Sequence, residues 1–219
     1  TSSGEEVDIY KVWESVEMPL SWVPELKEYC EKRGVLFFAS VFDEQGVDII
    51  NPYVSIYKIA SSELTHIPLL KKVALTGKPI IISIGSASMD EVFAALDVIN
   101  KAGNSSVALL YCVQKYPTPL KLANVKAIEN LQKKFPSLII GYSDHSMDPS
   151  KVPVAAVASG AKIIEKHFTI SRLMEGIDHK MSLEPEELKQ MVKSIRQTCG
   201  QFHFPNLLKY YRHLTIQDQ

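Results

Sequence analysis

The sequence is poor in cysteine. Cys30, Cys112 and Cys199 are the only three among 219 residues, and no two of them form a C-x-x-C pair. An odd number of widely spaced cysteines indicates neither a disulfide framework nor a thiolate zinc site. A reducing compartment is therefore expected, and the protein is predicted to be cytoplasmic.

Long apolar runs and tracts of one charge are also lacking. The longest uncharged apolar stretches, 79–89 and 152–161, fall short of the roughly 18 to 20 residues that span a bilayer. The 24 Lys and Arg residues are balanced by 25 Asp and Glu residues, so no basic surface that would follow a nucleic-acid backbone is expected. The sequence therefore predicts a protein that binds neither nucleic acid nor a membrane.

From residue 35 onward, short β-branched runs alternate with amphipathic segments. This alternation is typical of repeated βα units and a parallel sheet. Helices are predicted over 21–33, from a Ser88–Glu91 capping box to Gly103, and after Pro185. The predicted strands are 35–42, 56–60, 79–84, 107–113, 138–143 and 161–168.

The spacing of these strands is close to the unit length of a (β/α)8 barrel. Only six strands are found where a closed barrel needs eight, and an open doubly wound sheet is the alternative. No G-x-G-x-x-G or G-x-x-x-x-G-K-[ST] motif follows any strand, which argues against a nucleotide-binding open sheet. The predicted fold class is α/β, an incomplete (β/α)8 TIM barrel.

Polar residues lie at or just beyond the carboxyl end of nearly every predicted strand. The carboxyl ends of barrel strands meet at one mouth, where barrel enzymes place their chemistry. These residues are Ser40, Lys58, Ser61, Glu63, Ser83, Cys112, Gln114, Ser143, Asp144, His145, Glu165 and His167.

Two histidines lie at the ends of the last two predicted strands. Because side chains alternate along a strand, Ser143 and His145 share one face of the fifth strand, and Glu165 and His167 share one face of the sixth. Neighbouring strands are roughly 4.8 Å apart, so two imidazoles at matching heights can reach one ion. The pair predicts a divalent metal site with open coordination positions.

Lys58 lies inside an apolar strand, where a charged group needs a partner. Three interpretations remain open at this point. Lys58 could form a Schiff base with a carbonyl substrate, or form an ion pair with Glu63 or Glu165. It could also bind a phosphate together with the strand-end serines, which are Ser40, Ser61, Ser83 and Ser143.

Six segments together resemble the sialic acid synthase family, whose members are phosphoenolpyruvate-dependent enzymes that make nonulosonic acids. The resemblance covers about residues 8–196 in collinear order. The residues at 17–34 and 39–48 are most similar to the spore-coat polysaccharide branch. The six segments are YKIASSE (57–63), KPIIISIG (78–85), YCVQKYPTP (111–119), IIGYSDHS (139–146), GAKIIEKHFT (160–169) and GIDHKMSLEPEEL (176–188).

The resemblance implies a homodimeric (β/α)8 barrel that condenses phosphoenolpyruvate with N-acetylmannosamine or a related N-acetylated amino sugar, with loss of phosphate. It implies that His145 and His167 hold a divalent ion, Mn2+ or Mg2+. Gln114 stands where the sialic acid synthases proper have asparagine, which leaves the exact sugar open. By the same resemblance, Ser40, Lys58, Ser61, Ser83 and Ser143 hold phosphoenolpyruvate, with Lys58 acting as a cation, and Glu63, Tyr116 and Asp178 contact or activate the sugar and water.

Two features of the family have no counterpart in the sequence. Family members begin with two further strands, which carry an acidic and a lysine motif, and they continue into an antifreeze-like domain. We therefore expect a partial synthase barrel over 1–196 and a divergent tail over 197–219. Two alternatives remain: a Schiff-base aldolase that uses Lys58, and a non-catalytic remnant that binds a metal or a phosphoanion.

Overall fold

The computed structural model describes residues 8, 10–11, 14 and 17–201. The chain divides into two compact units, Thr1–Phe37 and Phe38–Gln219. Within the described ranges, no helix has both the length and the apolar character needed to cross a bilayer. Residues 202–219, which make up most of the predicted tail, lie outside the described residues, so the boundary at residue 196 stays a prediction.

Within residues 17–37 of the smaller unit, the structure describes one α-helix. A 3-10 turn, Leu20–Trp22, leads into α1 (Val23–Lys32), which carries a proline in its first turn, where the missing N–H costs little. Gly34 follows with a φ of 66°, a left-handed conformation that glycine adopts without strain. The helix predicted over 21–33 is confirmed, with Trp22 at the N-cap position.

The larger unit is built on a six-stranded parallel sheet with the strand order β1-β2-β3-β4-β5-β6. All six predicted strands are present, and each strand is followed by one α-helix. The strands are β1 (Ala39–Ser40), β2 (Tyr57–Ile59), β3 (Ile80–Ser83), β4 (Val107–Cys112), β5 (Ile139–Asp144) and β6 (Ile164–Lys166). The helices are α2 (Glu44–Ile50), α3 (Ile67–Leu75), α4 (Met89–Lys101), α5 (Ala127–Lys134), α6 (Lys151–Ala158) and α7 (Pro185–Gln201).

Local sequence sets where these helices begin. The Asp43 carboxylate accepts a hydrogen bond from the Gly46 amide at 2.6 Å and caps α2. The predicted capping box is confirmed at α4, where Ser88 and Glu91 satisfy each other's backbone amides. These caps fix the loops between strand ends and helices, and those loops form the mouth of the sheet.

The sheet is curled and not flat. The Lys58 ammonium on β2 lies 3.7 Å from the Glu165 carboxylate on β6. Four strand spacings would separate these strands by roughly 19 Å in a flat sheet, a gap that the two side chains cannot span. The predicted fold class is therefore confirmed: the six βα units form a curled half-barrel.

The outer face of the sheet carries the core. Tyr57 and Ile59, which flank Lys58, are fully buried, and the Tyr57 hydroxyl donates to the Val47 carbonyl of α2 at 3.3 Å. Ile82 and Tyr142 are equally inaccessible on their strands. Because apolar residues fill the layer between sheet and helices, the alternate positions point to the concave face, where the polar residues lie.

Candidate active site at the mouth of the half-barrel

Lys58 lies on the concave face, on β2. Its side chain is only 8% exposed, and its ammonium donates hydrogen bonds to the Ser83 hydroxyl at 2.8 Å and to the Ile59 carbonyl at 3.0 Å. Burial lowers the pKa of Lys58 from its ordinary value of 10.5, while the neighbouring Glu165 carboxylate acts in the opposite direction. Of the two ion pairs considered from the sequence, the structure forms the one with Glu165.

A second group of polar side chains surrounds Ser61. This residue opens a 3-10 turn directly after β2, and its hydroxyl accepts hydrogen bonds from the Gln114 amide and, at 3.1 Å, from the Ser86 hydroxyl. The structure thus brings Ser61 and Gln114 together. Ser86 is an addition that sequence reasoning missed, because it lies three residues beyond the end of β3.

Ser143 links the Lys58 side of the mouth to the histidine side. Its hydroxyl donates to Glu165 at 2.6 Å and lies 3.3 Å from Nε2 of His145. Alternation predicted that Glu165 shares a strand face with His167, and Glu165 was considered as an ion-pair partner of Lys58, but it was given no role of its own in the site. In the structure its carboxylate contacts both Lys58 and Ser143.

The two histidines converge as predicted. Their ring centroids are 5.5 Å apart, with the ring planes at 70° to each other. Nδ1 of His145 lies 2.8 Å from the Val113 carbonyl, which can only accept, so Nδ1 carries the proton and Nε2 keeps its lone pair. Burial also lowers the pKa of His145 from 6.5, which favours the neutral imidazole that metals bind.

Tyr116 and Asp178 complete the histidine side. The Tyr116 ring stacks on His145 at 4.1 Å and meets His167 edge-on at 6.0 Å. The Asp178 carboxylate lies 3.6 Å from Nδ1 of His167. Burial, with smaller contributions from nearby acidic groups that include Asp178, raises the pKa of Tyr116 to about 12, so its hydroxyl stays protonated as a donor.

Two expected site residues lie at the margin. Ser40 is the register partner of Lys58 across β1 and β2, which places it on the concave face, but its side chain is exposed. The Glu63 carboxylate accepts a hydrogen bond from the Ser62 hydroxyl at 2.9 Å, and it acts on Lys58 only through space. Neither makes a direct contact with the histidine pair among the interactions described.

The donor set fits a divalent ion with several open positions. Within the described part of the chain, no group of three or more His, Cys, Asp or Glu side chains is placed to hold a metal ion. Nε2 of His145 carries no proton and has the Ser143 hydroxyl 3.3 Å away, while the Asp178 carboxylate lies on the Nδ1 side of His167. Two imidazoles leave room for water and substrate oxygens, as a catalytic site requires and a structural zinc site does not.

The sequence matches the NeuB family over residues 1–202. It is 43% identical over 199 residues to the spore coat polysaccharide biosynthesis protein SpsE of Bacillus subtilis, a match that covers 90% of this chain and 53% of the relative. It is 40% identical over 200 residues to N,N'-diacetyllegionaminic acid synthase of Campylobacter jejuni, which covers 90% of this chain and 59% of the relative. The chain thus spans about half the length of these relatives.

Comparison with solved structures gives the same family relationship. The crystal structure of Bacillus subtilis SpsE superposes with a TM-score of 0.82 at 42% identity, over 90% of this chain and 56% of that one. N-acetylneuraminic acid synthetase from Leptospira borgpetersenii gives a TM-score of 0.83 at 35% identity, over 99% of this chain and 72% of that one. The resemblance carried by the six sequence segments is confirmed, and the chain belongs to the NeuB family.

Proposed function

We propose that this chain carries the phosphoenolpyruvate- and metal-binding part of a nonulosonic acid synthase. The reaction joins phosphoenolpyruvate to N-acetylmannosamine or a related N-acetylated amino sugar and releases phosphate. One observation supports this proposal above the others: an unbroken path of contacts runs from Lys58 through Glu165 and Ser143 to His145. In this proposal an anion-binding side and a metal-binding side are neighbours, as the joining of two bound substrates requires.

The anion side suits the phosphate and carboxylate of phosphoenolpyruvate. The Lys58 ammonium supplies the charge, and charge-assisted hydrogen bonds are stronger than neutral ones. Glu165 holds this ammonium in the free protein, so an incoming phosphate takes over a cation that is already positioned. The remaining donors are the hydroxyls of Ser40, Ser61, Ser83 and Ser143 and the Gln114 amide.

The metal side suits the sugar. His145 and His167 would hold Mn2+ or Mg2+ through Nε2, and the ion would polarise the aldehyde of the open-chain sugar as a Lewis acid. Tyr116, which stays protonated, and the carboxylates of Asp178 and Glu63 would contact the hydroxyl and acetamido groups of the sugar. The stacking of Tyr116 on His145 keeps water from one face of that imidazole.

A Schiff-base aldolase is the second candidate, and one observation favours it. Burial lowers the pKa of Lys58, which increases the fraction of free amine that can attack a carbonyl. The two hydrogen bonds of the ammonium and its contact with Glu165 favour the cation instead. Borohydride treatment in the presence of pyruvate decides between them, because it adds mass to Lys58 only if an imine forms.

The proposed reaction predicts that phosphate is released from phosphoenolpyruvate only when an N-acetylated amino sugar and Mn2+ are both present. A panel of amino sugars, assayed for phosphate and by mass spectrometry for a nonulosonic acid, measures this. Lys58→Met should abolish release, while Lys78→Met should not, because Lys78 binds the Asn51 and Val54 carbonyls at the other end of the sheet. Binding of phosphoenolpyruvate and Mn2+ without turnover on any sugar would favour the non-catalytic remnant.

Lys58→Met should weaken binding of phosphoenolpyruvate about ten-fold, which equals about 1.4 kcal/mol and is typical of one charged hydrogen bond. In the native protein the affinity should also fall as the pH rises toward 10.5, since burial makes Lys58 lose its proton earlier than an ordinary lysine does. Titration calorimetry across this pH range, without metal, measures both effects. The decline should persist in Lys78→Met and vanish in Lys58→Met. An unchanged dissociation constant in Lys58→Met would show that the lysine is structural.

A further inference from the structure

A buried ion pair lies behind the two histidines, on the outer face of β5 and β6. Asp144 and Lys166 are register partners, and each ends its strand. Their side chains are 0% and 3% exposed, and the ammonium lies 2.6 Å from the carboxylate. The site described above does not use this pair, because alternation points it away from the concave face.

The pair holds both ends of the peptide segment that carries His145. One Asp144 carboxylate oxygen accepts from the Ser146 amide at 2.9 Å, and the other accepts from the Ser146 hydroxyl at 3.1 Å. The Lys166 ammonium donates to the Ser146 carbonyl and, at 3.5 Å, to the Asp148 carbonyl. His145 therefore sits between two residues whose backbone or side chains are tied to one buried charge pair.

The network continues into the next helix. The Asp148 carboxylate accepts from the Ser150 amide at 2.9 Å and from the Val152 amide at 3.3 Å, at the start of α6. Strand β6, the loop 145–148 and the start of α6 are thus joined through Lys166. The chain keeps an ion pair in an apolar layer, where a hydrophobic pair of similar volume is often at least as stable. Such a pair can therefore contribute more to the geometry of the loop 145–148 than to the stability of the protein.

We propose that the Asp144–Lys166 pair positions the His145 imidazole. By fixing the backbone of the loop 145–148 against β6, it keeps Nδ1 of His145 on the Val113 carbonyl and Nε2 without a proton. The part of this inference that concerns a metal ion rests on the proposed function. The part that concerns the orientation and tautomer of the imidazole rests on the contacts alone.

The test uses the full chain without metal, with His145 followed by nitrogen-15 NMR of its imidazole. In the native protein a single tautomer with a slowly exchanging Nδ1 proton is expected. In Lys166→Met, the tautomers should mix, and the Nδ1 proton should exchange at least ten-fold faster. Native His145 signals in folded Lys166→Met would overturn the proposal.

Lys78→Met is the matched control, because it removes another partly buried lysine that holds two carbonyls, far from the histidines. It should lower the thermal stability and leave the His145 signals unchanged. An equal change of the His145 signals in Lys166→Met and Lys78→Met would mean that the Asp144–Lys166 pair only stabilises the fold. That result would overturn the positioning role. Asp144→Asn covers the case in which Lys166→Met does not fold, since the asparagine keeps its size and an acceptor for the Ser146 amide. It should speed exchange by a smaller factor, and unchanged exchange would count against the proposal.

A separate measurement tests the metal. Binding of Mn2+, followed by electron paramagnetic resonance, should weaken about ten-fold in Lys166→Met, the lower end of what loss of a group supporting a ligand costs. If the native chain does not bind Mn2+, the proposed metal site fails while the NMR result still decides the positioning role. If Mn2+ binds natively and Lys166→Met binds it equally well, the positioning role fails while the metal site stands.

Discussion

His145→Ala and His167→Ala are each expected to weaken Mn2+ binding about 100-fold or more and to abolish turnover. The reason is the donor count: the described residues offer two converging imidazoles, so losing one halves the protein ligands. Loss of a group that merely supports a ligand costs 10- to 100-fold, and loss of the ligand itself should reach or exceed the upper end of that range. Titration calorimetry with Mn2+ measures the change.

His66→Ala is the control for this effect. His66 occupies the N-cap position of α3, and its side chain makes no cap hydrogen bond. Its removal should leave the Mn2+ affinity unchanged. Equal affinities in the native protein and all three variants would eliminate the site. A loss confined to His145→Ala would point to a disturbed loop, because that variant also removes the ring on which Tyr116 stacks.

The strands were predictable because hydrophobic runs of β-branched residues report burial on both faces of a parallel sheet. Their lengths were less predictable. The run at 35–42 becomes a strand of only two residues, Ala39–Ser40, and the run at 161–168 becomes Ile164–Lys166. Both lie at the edges of the sheet, where one side has no ladder partner in the described chain to extend the strand. The sequence pattern indicates which runs are hydrophobic, whereas the length of a strand also depends on the strand that pairs with it.

The site was predictable to the extent that alternation decides it. Alternation placed Ser143 and His145 on one face of β5, and it placed His167 on the same side of the sheet, at the end of the neighbouring strand. The contact of Ser143 with His145 and the approach of the two imidazoles agree with this. The contact of Lys58 with Glu165 depends on how strongly the sheet curls, which no local pattern encodes. The same holds for Ser86, whose hydroxyl reaches Ser61 only because the loop after β3 folds back toward β2.

Gly141→Ala is expected to destabilise the protein by about 3 kcal/mol, the upper end of the cost of overpacking. Gly141 lies inside β5, next to Leu110 on β4. A methyl group there would lie 2.7 Å from the Ile163 carbonyl oxygen, 2.8 Å from the Ile163 Cβ and 2.5 Å from a Leu110 methyl. The Ile163 carbonyl accepts the Tyr142 amide at 2.8 Å, so this rigid backbone cannot move away without loss of a sheet hydrogen bond. Chemical denaturation with the slope held fixed measures the change.

The same substitution at Gly103 separates steric crowding from backbone strain. Gly103 has a φ of 87°, and a Cβ there would meet nothing within 4 Å. Gly103→Ala should therefore cost only about 1 kcal/mol, from the left-handed backbone alone, and leave the Mn2+ affinity unchanged. In Gly141→Ala the displaced β6 carries Glu165 and His167 with it, so the Mn2+ affinity should fall together with the stability. Equal destabilisation by Gly141→Ala and Gly103→Ala would mean that β6 can move away from the added methyl group at little cost. The geometry of the two histidines would then depend on the loop 145–148 and not on the spacing of β5 and β6.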